Sequence, residues 1–312
     1  MTIQIVLALT TQLLLPAYVV WTVWRSKERD RGAWIVKAAY CSTFLIFLIV
    51  AGRWDWWSVH LRFLWAGLLG VALIASYRRV RHMPWSRRRA RMERLNLWSE
   101  LAALALFVSL LVLAGTARTH DGQAVSLELP LRDGRYYVVH GGDGTLINHH
   151  HPFPPQRHAL DIVALNAAGL RARGVYPSEL DRYVIFGATV YSPCDGVVAE
   201  AVDDLPDQIP PRPDPANPAG NHVVIACRGV EVLLAHLRRG SVRVTAGQSV
   251  TVDDPLGEVG NSGNTSEPHL HIHAERANRT ETSEEKQGVP LSFEGTYPVR
   301  NTVLAPRGIP SR

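Results

Sequence analysis

Cysteine is scarce in this chain of 312 residues: there are three, none in the paired Cys-x-x-Cys spacing of a structural zinc site, so a disulfide-dense scaffold and a thiolate-bound metal are both excluded. Cys41 lies in an apolar run. Cys194 and Cys227 fall together in the C-terminal half, either as a pair, if that half is outside the cytoplasm, or as two small buried thiols. No His-Glu-x-x-His segment occurs, so a zinc site on a single helix is excluded as well. The turn-rich stretch Gly260-Asn261-Ser262-Gly263-Asn264-Thr265-Ser266-Glu267-Pro268 carries no Lys and is followed by no helical pattern, which rules out a phosphate cradle. Charge is also missing from long stretches before residue 115, and so few ionisable residues inside apolar runs argue against a transporter pathway through them. The net charge of +5 does not point to nucleic acid, because the local cluster Arg78, Arg79, Arg81, Arg87, Arg88, Arg89, Arg91 and Arg94 accounts for the excess.

Those apolar runs are the first positive signal. Crossing about 30 Å of hydrocarbon takes about 20 mostly apolar residues, and four segments approach this: Ile3 to Trp24, Trp34 to Gly52, Leu61 to Ser76 and Leu101 to Gly115. The last two lengthen if Trp54, Trp56, Trp57, Tyr77 and Trp98 sit at the interface. The first has no basic residues before it and is too long for a signal peptide, so it is expected to stay in the mature protein. Arg25, Lys27, Arg29 and Arg31 fill the first loop and the arginine cluster the third, whereas the second holds only Arg53 and Arg62. Basic loops face the cytoplasm. After four crossings, everything beyond about residue 116 is expected outside, periplasmic or extracellular.

From Ala124 onward the pattern changes to short β-branched and aromatic runs bounded by turn residues. Expected strands are Val125 to Leu129, Tyr136 to His140, Leu160 to Leu165, Thr189 to Ser192, Gly196 to Ala201, His222 to Cys227, Glu231 to His236, Ser249 to Val252 and His269 to Glu275. Arg228-Gly229 reads as a tight hairpin. Asp203 to Asn221, with Pro206, Pro210, Pro211, Pro213 and Pro215, reads as a long surface loop. The fold class is therefore an α-helical transmembrane bundle of about four helices followed by an all-β domain. Its expected divisions are a transmembrane region 1–116, a linker 117–124, a domain 125–300 and a tail 301–312.

The chemistry-bearing residues are histidines. In His269-Leu270-His271-Ile272-His273, strand alternation turns the three His to one face and the two apolar residues to the other. Asp161, inside the apolar Leu160-Asp161-Ile162-Val163, is costly to bury unless paired or metal-bound. His236 ends the run Val232-Leu233-Leu234-Ala235.

Taken in order, Asp161, Gly187 to Pro193 with Asp195-Gly196-Val197-Val198, Ala235-His236-Leu237, Gly247-Gln248, Gly257 to Gly263 and Pro268-His269-Leu270-His271 resemble the lysostaphin-like zinc metalloendopeptidases, the LytM-type murein hydrolases, over residues 125 to 278. The resemblance implies an antiparallel sheet with a groove, one Zn2+ per chain, and cleavage of peptidoglycan peptides. Asp161 and His271 match metal ligands of that family, and His236 and His269 match its two non-ligating catalytic His. The family's first His ligand stands four residues before the Asp, where this chain has Arg157. A variant group shows Asn-x-His followed by Gln-Arg-x-Ala-x-Asp, similar to Asn148-His149-His150 and Gln156 to Asp161 here. His150 is the expected first ligand, with His149 and His158 as alternatives. His273 is left to orient a ligand or line the groove. The implied partners are peptidoglycan peptides, the lipid bilayer and a regulatory protein; nucleic acid is not among them. The alternative is a catalytically inactive peptidase-fold module that regulates cell-wall hydrolases.

Overall fold

The computed structural model describes residues 3–279 and 284–305, so residues 306–312 of the expected tail lie outside the described residues. The chain divides into two compact units, Met1–Gly115 and Thr116–Arg312.

Among the described residues, four helices of the first unit are long and apolar enough to cross a membrane: Ile3–Trp24, Arg31–Ala51, Leu61–Val80 and Arg91–Thr116. Their apolar side chains point outward rather than into a core. Leu14, Trp21, Phe63, Ile74 and Val112 are each more than half exposed, whereas the shared interior is the small set Val19, Val23, Cys41, Leu45, Leu69 and Ala72. Water would penalise that arrangement and hydrocarbon would not. The third and fourth helices run longer than their apolar cores because polar turns extend them. Arg78 and Arg79 sit in the last turn of the third, where cations complement the helix dipole. The second helix starts at Asp30, whose carboxylate accepts the Ala33 N–H at 2.9 Å and also pairs with Arg89 of the arginine cluster.

The second unit is built on strands β1 (Val125–Leu127), β2 (Arg135–His140), β3 (Leu160–Leu165), β4 (Thr189–Tyr191), β5 (Gly196–Val202), β6 (Asn221–Cys227), β7 (Val230–Leu237), β8 (Ser249–Val250), β9 (Pro255–Glu258), β10 (Leu270–Arg279), β11 (Glu284–Val289), β12 (Leu291–Phe293) and β13 (Val303–Leu304). The main sheet has the order β13-β2-β3-β10-β7-β6-β5-β8, with β11 also paired to β10, and its pairings are antiparallel. β4 pairs with β9 antiparallel and β1 with β12 parallel.

Alternation decides what each face of the sheet carries. Leu160 and Ile162 of β3, Leu270 and Ile272 of β10, and Val232 and Leu234 of β7 enter one apolar core together with Val223 and Ile225 of β6. The residues between them in sequence must face the other way. β6 and β7 are joined through Arg228 (φ 53°) and Gly229 (φ 77°), two left-handed residues that match the twist of a two-residue hairpin. Cys194 and Cys227 form a disulfide inside the core.

Candidate metal centre

The face opposite the core gathers imidazoles around a single buried carboxylate. The register of β3 against β10 places His271 directly across from Asp161, and His271 Nδ1 lies 2.9 Å from Asp161 Oδ1. The third donor comes from a turn. Asn148, fully buried, donates through Nδ2 to the carbonyls of Gly142 and Ala159 at 2.9 and 3.2 Å and accepts the His150 N–H on Oδ1 at 3.1 Å. That bracket holds the turn against the entrance to β3, and His150 Nε2 comes to 3.0 Å from both oxygens of Asp161. His150, Asp161 and His271 are all buried, and one ligand atom of each lies within 4.8 Å of the others.

The outward nitrogens of both rings are already engaged. His150 Nδ1 is 3.1 Å from Gln156 Oε1, and His271 Nε2 is 2.9 Å from His273 Nδ1. A neutral imidazole carries one N–H. With the proton on the outward nitrogen, each inward nitrogen presents a lone pair to an Asp161 oxygen, which is repulsive unless a cation lies between them. Two imidazoles, each held from behind, and one carboxylate are the donors that zinc takes in a three-ligand site with an open fourth position. The residues present fit the ion.

Two further histidines border the same point. By alternation Ala235, which pairs with His271, faces the centre, so His236 in a regular strand would face the core. It does not, because His236 adopts φ 63° and turns back to the metal side. Its Nδ1–H donates to the Ser262 carbonyl at 2.9 Å, leaving Nε2 as a free base. His269 is arranged likewise: Nδ1–H donates to the Glu267 carbonyl at 2.8 Å, and Nε2 stands 3.5 Å from Asp161 Oδ1. The two rings are 4.8 Å apart between centroids.

Burial and the charges of Asp161 and its histidine neighbours together set the charge states of this group. Burial pushes His236 down to about 3 and His271 well below the usual imidazole range. For His269 burial acts in the same sense, but the Asp161 charge and hydrogen bond outweigh it and leave the ring raised. For Asp161 burial opposes ionisation, yet the neighbouring His150 and His269 hold it well below the usual carboxylate range.

Of the alternatives for the first donor, His158 leaves the neighbourhood of Asp161, whereas His149 stays beside it and makes a second group of three candidate donors with His140 and Asp161. His158, in the turn before β3, points away from Asp161 and lies with Nδ1 3.0 Å from the Tyr297 hydroxyl. His149 is half exposed, with Nδ1 at 3.9 Å from Asp161 Oδ2, and packs between His150 and His140. His140, which the sequence did not single out, lies opposite Asp161 in the β2–β3 register. Its Nδ1 accepts from Arg300, so that lone pair is occupied. A lone His at a strand end carries no sequence signal for such a position.

The surrounding loops hold the histidine-bearing segment in place. Gly220 (φ 60°) and Gly263 (φ 85°) approach so closely that a Cβ at either would meet backbone at 2.3 to 2.4 Å, so glycine is required at both. This contact docks the proline-rich loop after β5 onto the 260–264 segment, reinforced by Asp207 accepting the Asn261 N–H at 2.7 Å. The loop frames the centre rather than closing it. A cavity of about 460 Å³ remains, bounded by Pro218 and Ala219 of the loop, Phe153, Leu233, Asn264 and the histidines. On the other flank, Arg171 pairs with Glu267 at 2.7 Å with both side chains buried, bracing the residue whose carbonyl orients His269. Arg171→Met should break this buried charge pair and destabilise the unit by about 3 to 5 kcal/mol, read as a lowered denaturant midpoint of the full-length protein.

Residues 180–283 match the model for peptidase family M23, a span that contains His236, His269 and His271 but not His150 or Asp161. No curated protein matches the chain. Among solved structures, the chain is similar to lysostaphin in solution (16% identity over 41% of this chain and 39% of that one, TM-score 0.25). It is also similar to a zinc-containing peptidase from Vibrio cholerae (22% identity over 37% of this chain and 46% of that one, TM-score 0.23). A third similarity is to the SpoIIQ-SpoIIIAH pore-forming complex (16% identity over 49% of this chain and 85% of that one, TM-score 0.31). The chain thus spans less than half the length of the first two.

Proposed function

We propose that the second unit is a zinc-dependent endopeptidase, held outside the cytoplasmic membrane by the four helices, that hydrolyses peptide cross-links of peptidoglycan. The observation that carries this reading is the convergence of His150, Asp161 and His271 on one point, with the free Nε2 of His236 and the Asp161-facing Nε2 of His269 beside it. The match to peptidase family M23 supports the reaction class.

Zinc held by His150 Nε2, Asp161 and His271 Nδ1 would supply a Lewis acid that polarises a peptide carbonyl and makes water nucleophilic near neutral pH. The remaining steps belong to the protein. His236, kept neutral by burial, presents its Nε2 lone pair at the centre, where it is placed to accept a proton as water adds to the carbonyl. His269, whose Nε2 is biased toward protonation by Asp161, is suited to donate a hydrogen bond to the developing oxyanion or a proton to the leaving amine. The Ser262 and Glu267 carbonyls keep both rings in the tautomer these roles need. Leu233, Ala235 and Pro218 give the cavity an apolar wall beside the histidines. The expected result is that the full-length protein in detergent releases new amino termini from purified peptidoglycan, that a chelator abolishes the release, and that added zinc restores it. Undiminished release after chelation counts against the reading.

Placement outside the cytoplasm rests on two independent features. Basic residues occupy the first and third loops, and a disulfide links Cys194 to Cys227, a bond that persists in oxidising compartments. A membrane-impermeant maleimide should label a cysteine placed at Ser241 in intact cells, after permeabilisation of any outer membrane, and should leave one placed at Ser86 unlabelled. The reverse pattern would invert the topology.

A further inference from the structure

His273 and Glu275 are buried on the metal side of β10, and the mechanism above uses neither. Alternation sets His271, His273 and Glu275 in succession on one face. His271 Nε2 is 2.9 Å from His273 Nδ1, and His273 Nε2 is 3.8 Å from Glu275 Oε2. Glu275 is paired in turn with Lys286 of β11, which also reaches Glu231 of β7 at 3.0 Å.

The order of these groups has a physical logic. Glu231 and Glu275 are direct cross-strand partners, and like charges so placed repel. Lys286 between them offsets the repulsion, so Glu275 remains an anion although it is buried. An anionic carboxylate beside His273 Nε2 favours the proton on that nitrogen and leaves Nδ1 as an acceptor. His271 can then donate only through Nε2–H, and its Nδ1 lone pair is directed at Asp161. The opposite tautomers would set a lone pair of His273 against the Glu275 carboxylate.

We propose that His273 and Glu275 form a relay of positioning residues that dictates which nitrogen of His271 meets the metal, and thereby sets the zinc affinity of the centre. This rests on the zinc reading given above. It concerns a second layer of contacts behind the ligand, where loss of a partner characteristically weakens metal binding about 10- to 100-fold.

The test is chelator competition for zinc on the full-length protein in detergent, comparing wild type, His273→Leu, Glu275→Gln and His273→Asn. His273→Leu removes the acceptor and should weaken zinc binding about 10- to 100-fold, with Glu275→Gln acting in the same direction by less. His273→Asn returns an acceptor oxygen near the position of Nδ1 and should recover affinity to within a few-fold of wild type. That recovery separates positioning from packing, because a merely structural role would be served no better by Asn than by Leu. Wild-type affinity in His273→Leu, or an Asn variant no better than Leu, overturns the relay while the zinc reading stands. Absence of zinc binding by the wild type overturns both.

Discussion

Asp161→Ala is expected to abolish hydrolysis and to weaken zinc binding more than any other single change. Asp161 is the one anionic donor in the cluster, with His271 Nδ1 at 2.9 Å, His150 Nε2 at 3.0 Å and His269 Nε2 at 3.5 Å. Without it the buried imidazoles would have to hold a divalent cation with no opposing charge, in surroundings that penalise uncompensated charge. The loss of affinity should exceed the 10- to 100-fold typical of contacts one layer further out. Chelator competition and elemental analysis of the full-length variant measure it. Stoichiometric zinc in Asp161→Ala would remove Asp161 from the site.

His236→Ala should behave in the opposite way, keeping its zinc and losing turnover. His236 points a free Nε2 at the centre and is not a member of the three-donor group. A positioned proton acceptor contributes typically about 10²- to 10⁴-fold to rate, so kcat should fall by that factor while zinc content stays near wild type. His269→Ala should lower kcat comparably and disturb zinc affinity slightly, since its ring also faces Asp161. The double variant should be little worse than either single one if the two act on one proton path. A His236→Ala protein with wild-type kcat would leave proton transfer to another group.

Where hydrophobic period was strong, the sequence was readable. The alternation of Leu160-Asp161-Ile162 and of His269 to His273 already separates core from site, because burying the apolar residues leaves the polar ones no other face. The four strands absent from the expectation, β9, β11, β12 and β13, lack that period, β11 being polar over most of its length. β9 opens on Pro255 and contains Gly257, both turn-like residues, and β12 and β13 are too short to show alternation. His236 shows the limit of pattern reasoning. Its place in the run predicts the wrong face, and only a left-handed backbone corrects it. The sequence leaves the choice among His149, His150 and His158 open for a related reason. Turns have no period, and the orientation of this one depends on Asn148 reaching carbonyls at Gly142, Arg157 and Ala159, contacts that no spacing encodes. In the helical unit, apolar length was sufficient to read the four helices, since it is a summed quantity insensitive to packing detail.

The most direct test of the central claim is the zinc content of the purified full-length protein, measured beside His150→Ala and His271→Ala. About one zinc per wild-type chain, lost from both variants, is the predicted result. A wild-type chain that takes up no zinc would contradict the account and favour a peptidase-fold module that binds or regulates rather than cuts.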